Sequence, residues 1–203
     1  MGTAFILRAR WCASGRRPFK AALAGLCLVL AALSAAAGQP GDSLWQRLQY
    51  STWVRQGAQH PEHLIYVITD ANCPYCHDLW LSLQPYYGRG IEVRYLMVGV
   101  ISSDSPGKAA AILEAPDPSR ALDQNEKQWQ RLPDDLGGGI PPLPRPKPGT
   151  LAALSINQQL MRDLGARGTP ALVYRSADHA VHVIQGGVDA ARLESILSSA
   201  APD

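Results

Sequence analysis

Beyond residue 38, His63-Leu64-Ile65-Tyr66-Val67-Ile68-Thr69-Asp70 carries a continuous apolar run rich in β-branched and aromatic side chains and without polar alternation. A strand covered on both faces has this composition, so a central strand is predicted there. Ala71-Asn72 turn the chain, and from Cys73 onward Leu79, Trp80 and Leu83 recur at helical spacing until Pro85 and Gly88 interrupt it. A second strand is predicted over 91–101, closing a β-α-β unit with a right-handed crossover. Ser105 at N-cap and Pro106 at N1 open a helix, and another is expected over 118–131. Residues 133–149 carry three consecutive glycines and six prolines and read as an exposed loop with local polyproline character. A helix over 150–164 ends with Gly165 at C′, strands over 171–175 and 180–185 flank a Ser176-Ala177-Asp178 turn, and Asp189 opens a closing helix through Leu197. Near the start of this region, Ser43 caps a short amphipathic segment running toward Trp53.

The order is β-α-β, a helical insertion at about 103–165, then β-β-α, which makes the chain α/β with a thioredoxin-like topology. Its 203 residues, 46% of them apolar, suit one core and one domain over 63–203, preceded by a helical segment over 38–62. Residues 1–37 read as a signal peptide: Arg8, Arg10, Arg16, Arg17 and Lys20, an apolar run, then Ser34-Ala35-Ala36-Ala37 as a small-residue cleavage site. An uncleaved anchor is the rival reading, and Arg16-Arg17 also fits a twin-arginine export signal. Once those five basic residues are set aside, fourteen Lys and Arg face seventeen Asp and Glu, and nothing calls for a nucleic acid partner.

Of four cysteines, Cys12 and Cys27 fall in the signal, leaving Cys73 and Cys76. A bridge closing so small a ring gains little loop entropy, so its expected role is to open and close rather than to staple. At a helix start, the positive end of the dipole and free backbone N–H groups favour a thiolate at Cys73, below the free value of about 8.5. Cys73 is therefore the candidate nucleophile and Cys76 the resolving thiol, with Pro74 at an early helical position and Tyr75 flanking the sulfur. Asp70, three residues before Cys73, is a candidate for proton transfer. Two other readings compete. Cys73-Pro74-Tyr75-Cys76-His77 also matches a c-type haem attachment run, with Met97 or Met161 as conceivable distal ligands, and a non-catalytic binding module could retain the fold. The five histidines offer no metal-site spacing.

Leu64-Ile65-Tyr66-Val67 with Asp70 before Cys73-Pro74-Tyr75-Cys76, then Leu96-Met97-Val98-Gly99-Val100-Ile101, Ser105-Pro106, Ala109-Ala110-Ala111-Ile112-Leu113, Asp117-Pro118, Met161-Arg162-Asp163-Leu164-Gly165-Ala166 and Thr169-Pro170 resemble the catalytic domain of the periplasmic thiol:disulfide interchange family of DsbC and DsbG, and DsbG more closely. The resemblance runs from about Leu64 to the end of the chain. It implies a cis-proline loop at Thr169-Pro170 that guides an extended substrate, with Pro74 and Tyr75 also against the substrate. It implies no cofactor beyond the redox-active Cys73–Cys76 pair, exported cysteine-containing proteins as partners, a membrane redox partner of the DsbD or DsbB type, and a periplasmic location. Only some two dozen residues separate the predicted signal from the first core strand, too few for that family's N-terminal dimerisation domain, so a monomer is expected.

Overall fold

The computed structural model describes residues 40–132 and 135–202. The signal expected over 1–37, with Cys12 and Cys27, lies outside the described residues. The elements are α1 (Pro40–Gln49), β1 (Val54–Gly57), β2 (His63–Asp70), α2 (Pro74–Leu83) running into a 3-10 turn (Gln84–Arg89), β3 (Ile91–Val98), α3 (Ser105–Leu113), α4 (Pro118–Lys127), β4 (Gln130–Leu132), β5 (Asp135–Gly137), α5 (Pro148–Asp163), β6 (Ala171–Arg175), β7 (Val181–Gln185) and α6 (Ala190–Ser199). Five strands form one sheet in the order β1-β3-β2-β6-β7. β2 and β3 are parallel, from His63 opposite Ile91 to Asp70 opposite Val98, and the other pairs are antiparallel. β4 and β5 make a separate hairpin.

The unbroken apolar run of β2 serves two cores. Leu64, Tyr66 and Ile68 point to a face covered by Trp45 and Leu48 of α1 and by Leu160, Met161 and Leu164 around the C-terminal end of α5. Ile65 and Val67 point to the opposite face, covered by Leu79, Trp80 and Leu83 of α2, Ile112 of α3 and Leu193, Ile196 and Leu197 of α6. A strand buried on both sides has no solvated face to show as alternation.

The predicted order is present, with differences that have identifiable causes. The segment expected to be helical over 38–62 also contains β1, which pairs with β3. Its inward positions are Val54 and Gln56, and the buried amide of Gln56 accepts from Trp80 Nε1 at 3.0 Å and Tyr87 OH at 2.9 Å while donating to Asp123 Oδ1 at 2.8 Å. A strand that buries a glutamine does not register as apolar. α1 begins at Pro40, so Ser43 lies within the helix and not at its cap. β3 stops at Val98 because the next N–H groups, those of Val100 and Ile101, donate to the Asp70 carboxylate and not to a neighbouring strand, while Gly99 lies so close to the Pro106 backbone that a Cβ would not fit. Ser105 is the first residue of α3 and Asp104 its N-cap. The helix expected to reach 131 stops at Lys127, and a hairpin follows.

The glycine tract departs furthest from its expected solvated loop. Gly137 and Gly138 are buried. Gly138 N donates to Ala71 O at 3.0 Å, and a Cβ there would overlap the Asn125 amide; on Gly137 it would overlap Asn72, and on Gly139 the Gln128 side chain. Backbone approaches side chains so closely that only hydrogen fits at these positions. Gly138→Ala is therefore expected to lower unfolding free energy by about 2 kcal/mol in urea titrations, the usual scale of overpacking. Gly149→Ala, inside α5 with nothing within 4 Å of the added carbon, should be neutral or slightly stabilising.

Candidate active site

β2 ends at Asp70, and two residues carry the chain to Cys73, the N-cap of α2. An N-cap side chain normally accepts from the free N–H groups of the first turn. Here Cys73 Sγ does so, accepting from Cys76 N at 3.3 Å, with Pro74 in the first turn where an N–H is not needed. Cys76 lies one turn into the helix at 3% exposure and Cys73 is 1% exposed, while Tyr75 stands out at 66%. The Cys73 thiol also donates to the Thr169 carbonyl oxygen at 3.3 Å. The Thr169–Pro170 peptide is cis, and the Thr169 hydroxyl is buried with no hydrogen-bond partner among the described residues.

The two sulfurs are electrostatically unequal. Cys73 is lowered from 9.0 to about 7, chiefly by its hydrogen bond with the Cys76 thiol, against the opposing effect of burial, with help from Thr169 and the Cys76 and Tyr75 N–H groups. Cys76 is raised well above 9.0 by burial first and by the neighbouring Cys73 sulfur second. One site thus holds a stable thiolate above a stable thiol.

Asp70 is fully buried and saturated. Its Oδ1 accepts from Asn72 N at 2.9 Å and Ser105 Oγ at 2.8 Å, and its Oδ2 from Val100 N at 2.6 Å and Ile101 N at 3.1 Å. Four donors occupy the roughly four lone-pair sites of a carboxylate, so Asp70 clamps the loop after β3 to the loop before Cys73 and offers no open position for a travelling proton. Asn72, next to Cys73, is held by Ser102 Oγ and Asp104 Oδ1 on its amide nitrogen and by the buried Lys108 Nζ, 2.9 Å from its oxygen.

Three residues near the sulfurs were not singled out from sequence: Lys108, Asn125 and Glu126, all from the insertion. Asn125 Nδ2 donates to Ala71 O at 3.1 Å and to Glu126 Oε1 at 3.0 Å, and Glu126 Oε2 lies 2.9 Å from His77 Nδ1. Burial pushes the Glu126 carboxyl up to about 8, partly offset by Asn125 and reinforced by the charge on Cys73. The available signal was that Ala121, Leu122, Asn125 and Glu126 share one face of α4 at helical spacing. His77, which suggested haem attachment, is 8% exposed, bound to Glu126 and stacked on Trp129 with centroids 4.7 Å apart. Met97 and Met161 pack in the two cores. That arrangement opposes the haem reading. Among the described residues, no group of three or more His, Cys, Asp or Glu could hold a metal ion.

A family model for the thioredoxin-like domain matches residues 54–201, from the start of β1 to just beyond the last helix. The chain belongs to the thioredoxin-like domain family. Within that thioredoxin-like family it is 32% identical to the thiol:disulfide interchange protein DsbG of Pseudomonas aeruginosa over 155 residues, covering 76% of this chain and 58% of that protein. It is 33% identical to DsbG of Escherichia coli over 160 residues, covering 78% and 62%. The chain thus matches about three fifths of the length of these curated relatives. The catalytic domain of Proteus mirabilis ScsC shares the thioredoxin-like fold, with a TM-score of 0.59 and 21% identity over 79% of this chain and 96% of that one.

Asp70→Asn places an amide N–H₂ among N–H and O–H donors. It is expected to cost about 2 kcal/mol of stability through unsatisfied buried groups. The ultraviolet thiolate absorbance of Cys73 should still titrate near 7, because Asp70 is not among the groups that lower it. Loss of that titration with unchanged stability would restore Asp70 as a proton carrier.

Proposed function

We propose that the protein exchanges thiols and disulfides with exported, cysteine-containing proteins in the periplasm, with Cys73 attacking and Cys76 resolving. The observation that carries this reading is the unequal pair: a sulfur favoured as thiolate at the N-cap of α2, beside the cis Thr169–Pro170 loop, above a thiol kept protonated by burial. The similarity to two DsbG proteins supports it.

In the reducing direction the Cys73 thiolate attacks a substrate disulfide. A Cys73–substrate S–S bond forms, the substrate S–S bond breaks, and one substrate sulfur leaves as thiolate. Cys76 then gives up its proton and attacks Cys73, closing the Cys73–Cys76 disulfide and releasing the second substrate sulfur. The same steps reversed oxidise a dithiol. The Thr169 backbone pairs with an extended substrate segment, and the exposed Tyr75 ring beside Pro74 forms part of the contact surface. A membrane redox protein of the DsbD or DsbB type restores the working state of the pair. The resting state it maintains decides whether reduction, oxidation or isomerisation dominates.

Cys76→Ala expressed in the native host should accumulate mixed disulfides on Cys73, visible as bands that collapse on reduction. Cys73→Ala should accumulate none. Reduction of a model disulfide by the purified dithiol form should accelerate as pH rises through about 7, following the thiolate fraction of Cys73. A purified protein that neither reduces a model disulfide nor oxidises a reduced peptide would overturn the proposal and leave a binding module.

A further inference from the structure

The negative charge favoured on Cys73 shares a buried space with a second acid. Glu126 is 3% exposed on the inner face of α4 and reaches α2 through His77 Nδ1 at 2.9 Å. His77 directly follows Cys76, and its ring is fixed by stacking on Trp129 at 4.7 Å and, at 6.4 Å, on Trp80. Asn125 binds both the Glu126 carboxyl and the Ala71 carbonyl, so the carboxyl and the loop carrying Cys73 are held by one amide. Among the described residues, the titratable groups coupled to Glu126 are His77 from α2, Cys73 at its N-cap, Tyr87 from the 3-10 turn and Tyr95 from β3. Two lysines of the insertion are engaged elsewhere: Lys127 with Asp123 at 2.7 Å, and Lys108 with Asn72 and Gly138 O.

We infer that Glu126 and His77 form a proton-holding pair tied to the redox state of Cys73, taking up a proton when the thiolate is made and releasing it when the disulfide closes. Glu126 is on this account a positioning residue that acts through the charge on Cys73. The inference rests on the exchange chemistry proposed above and assigns the proton that chemistry leaves over.

The balance is as follows. When a substrate dithiol reduces the Cys73–Cys76 disulfide, that S–S bond breaks, a substrate S–S bond forms, two electrons pass to the pair and two protons leave the substrate thiols. One proton is kept by Cys76, where burial favours the thiol. Cys73 retains its charge above about 7, and the second proton passes to the Glu126–His77 pair to the extent that the new charge raises the pair's affinity for it, the remainder going to solvent. The 2.9 Å contact suits either protonation state: a neutral carboxyl donates its O–H to Nδ1, or a protonated Nδ1 donates to the carboxylate. With Cys73 charged, the Glu126 carboxyl is held up to about 8, in part by that charge; with Cys73 in a disulfide this contribution vanishes and the carboxyl becomes the stronger acid.

The test begins with wild-type protein carrying ¹³C in its glutamate carboxyls, titrated by NMR in the dithiol and disulfide forms. One resonance should titrate near 8 in the dithiol form, and lower by about one unit or more in the disulfide form, the mark of strongly coupled sites. Identical titration in the two forms overturns the inference, without dependence on any variant's folding. Glu126→Gln then assigns the resonance. From about pH 6 to about pH 9, its equilibrium with glutathione should change about tenfold less than that of wild type, since one pK unit of coupling is a factor of ten. A constant offset between the two curves, with parallel pH dependence, marks a merely structural carboxyl and also overturns it. A wild-type protein that exchanges no thiols sinks the proposed function instead, while its chemically prepared disulfide and dithiol forms still report whether Glu126 senses Cys73.

Discussion

Two thiols one helical turn apart, both removed from water, cannot both carry charge, and the site is organised around which of them does. At Cys73 the Cys76 thiol, Thr169 and the first-turn N–H groups converge on one sulfur and outweigh the cost of its burial. At Cys76 nothing comparable offsets burial, and a charge on Cys73 makes a second one costlier still. Helix geometry adds to the asymmetry: an N-cap side chain meets unpaired N–H donors, and a side chain three residues later does not. Cys-x-x-Cys at the end of a buried strand therefore yields two different acids from one residue type.

Holding that geometry requires the loop before Cys73 to be immobile, and the insertion supplies the restraint. Ser105 reaches Asp70, Lys108 reaches Asn72, and Asn125 with Gly138 N shares the Ala71 carbonyl. Asp70, at the end of β2, and the two residues between it and Cys73 are thus each tied to the segment following β3. Burying a lysine and two carboxylates would be costly in isolation, since unpaired buried charges lose several kcal/mol of solvation. Here each is paired or hydrogen-bonded, and they brace the loop before Cys73 from behind. The same bracing delivers Glu126 to His77, so the electrostatics of the thiolate and the packing of the insertion share residues.

What sequence alone could show follows from how local each feature is. Cys73, Pro74 and Cys76 fall within one helical turn, and β2 into α2 is a contiguous change of period, so both were legible. Thr169–Pro170 gained meaning only beside the cysteines, ninety-six residues away along the chain. β1 was hidden because Gln56, its second inward residue, is polar and finds its partners on α2, the 3-10 turn and α4. The glycine tract has the composition of a solvated loop, and only the approach of Asn72, Asn125 and Gln128 makes its lack of side chains a packing requirement. Glu126 and His77 are forty-nine positions apart, and a glutamate in a polar helix gives no sign that its neighbours will remove it from water.

Cys73 and Glu126 bias folding of the dithiol form in opposite directions with pH. Cys73 is lowered, so its contribution to stability is complete above its ordinary 9.0 and is lost as pH falls through about 7. Glu126 is raised, so its contribution is complete below its ordinary 4.5 and is lost as pH rises through about 8. Between 7 and 8 the thiolate is largely formed while the carboxyl is still largely neutral, and the buried site carries one negative charge rather than two. Removing the Glu126 carboxyl would leave the thiolate no less stable at high pH, where the carboxylate only repels it. What it would remove is the place where a proton waits close to the sulfur. That separates its role from those of Asn125 and Lys108, whose hydrogen bonds hold the loop.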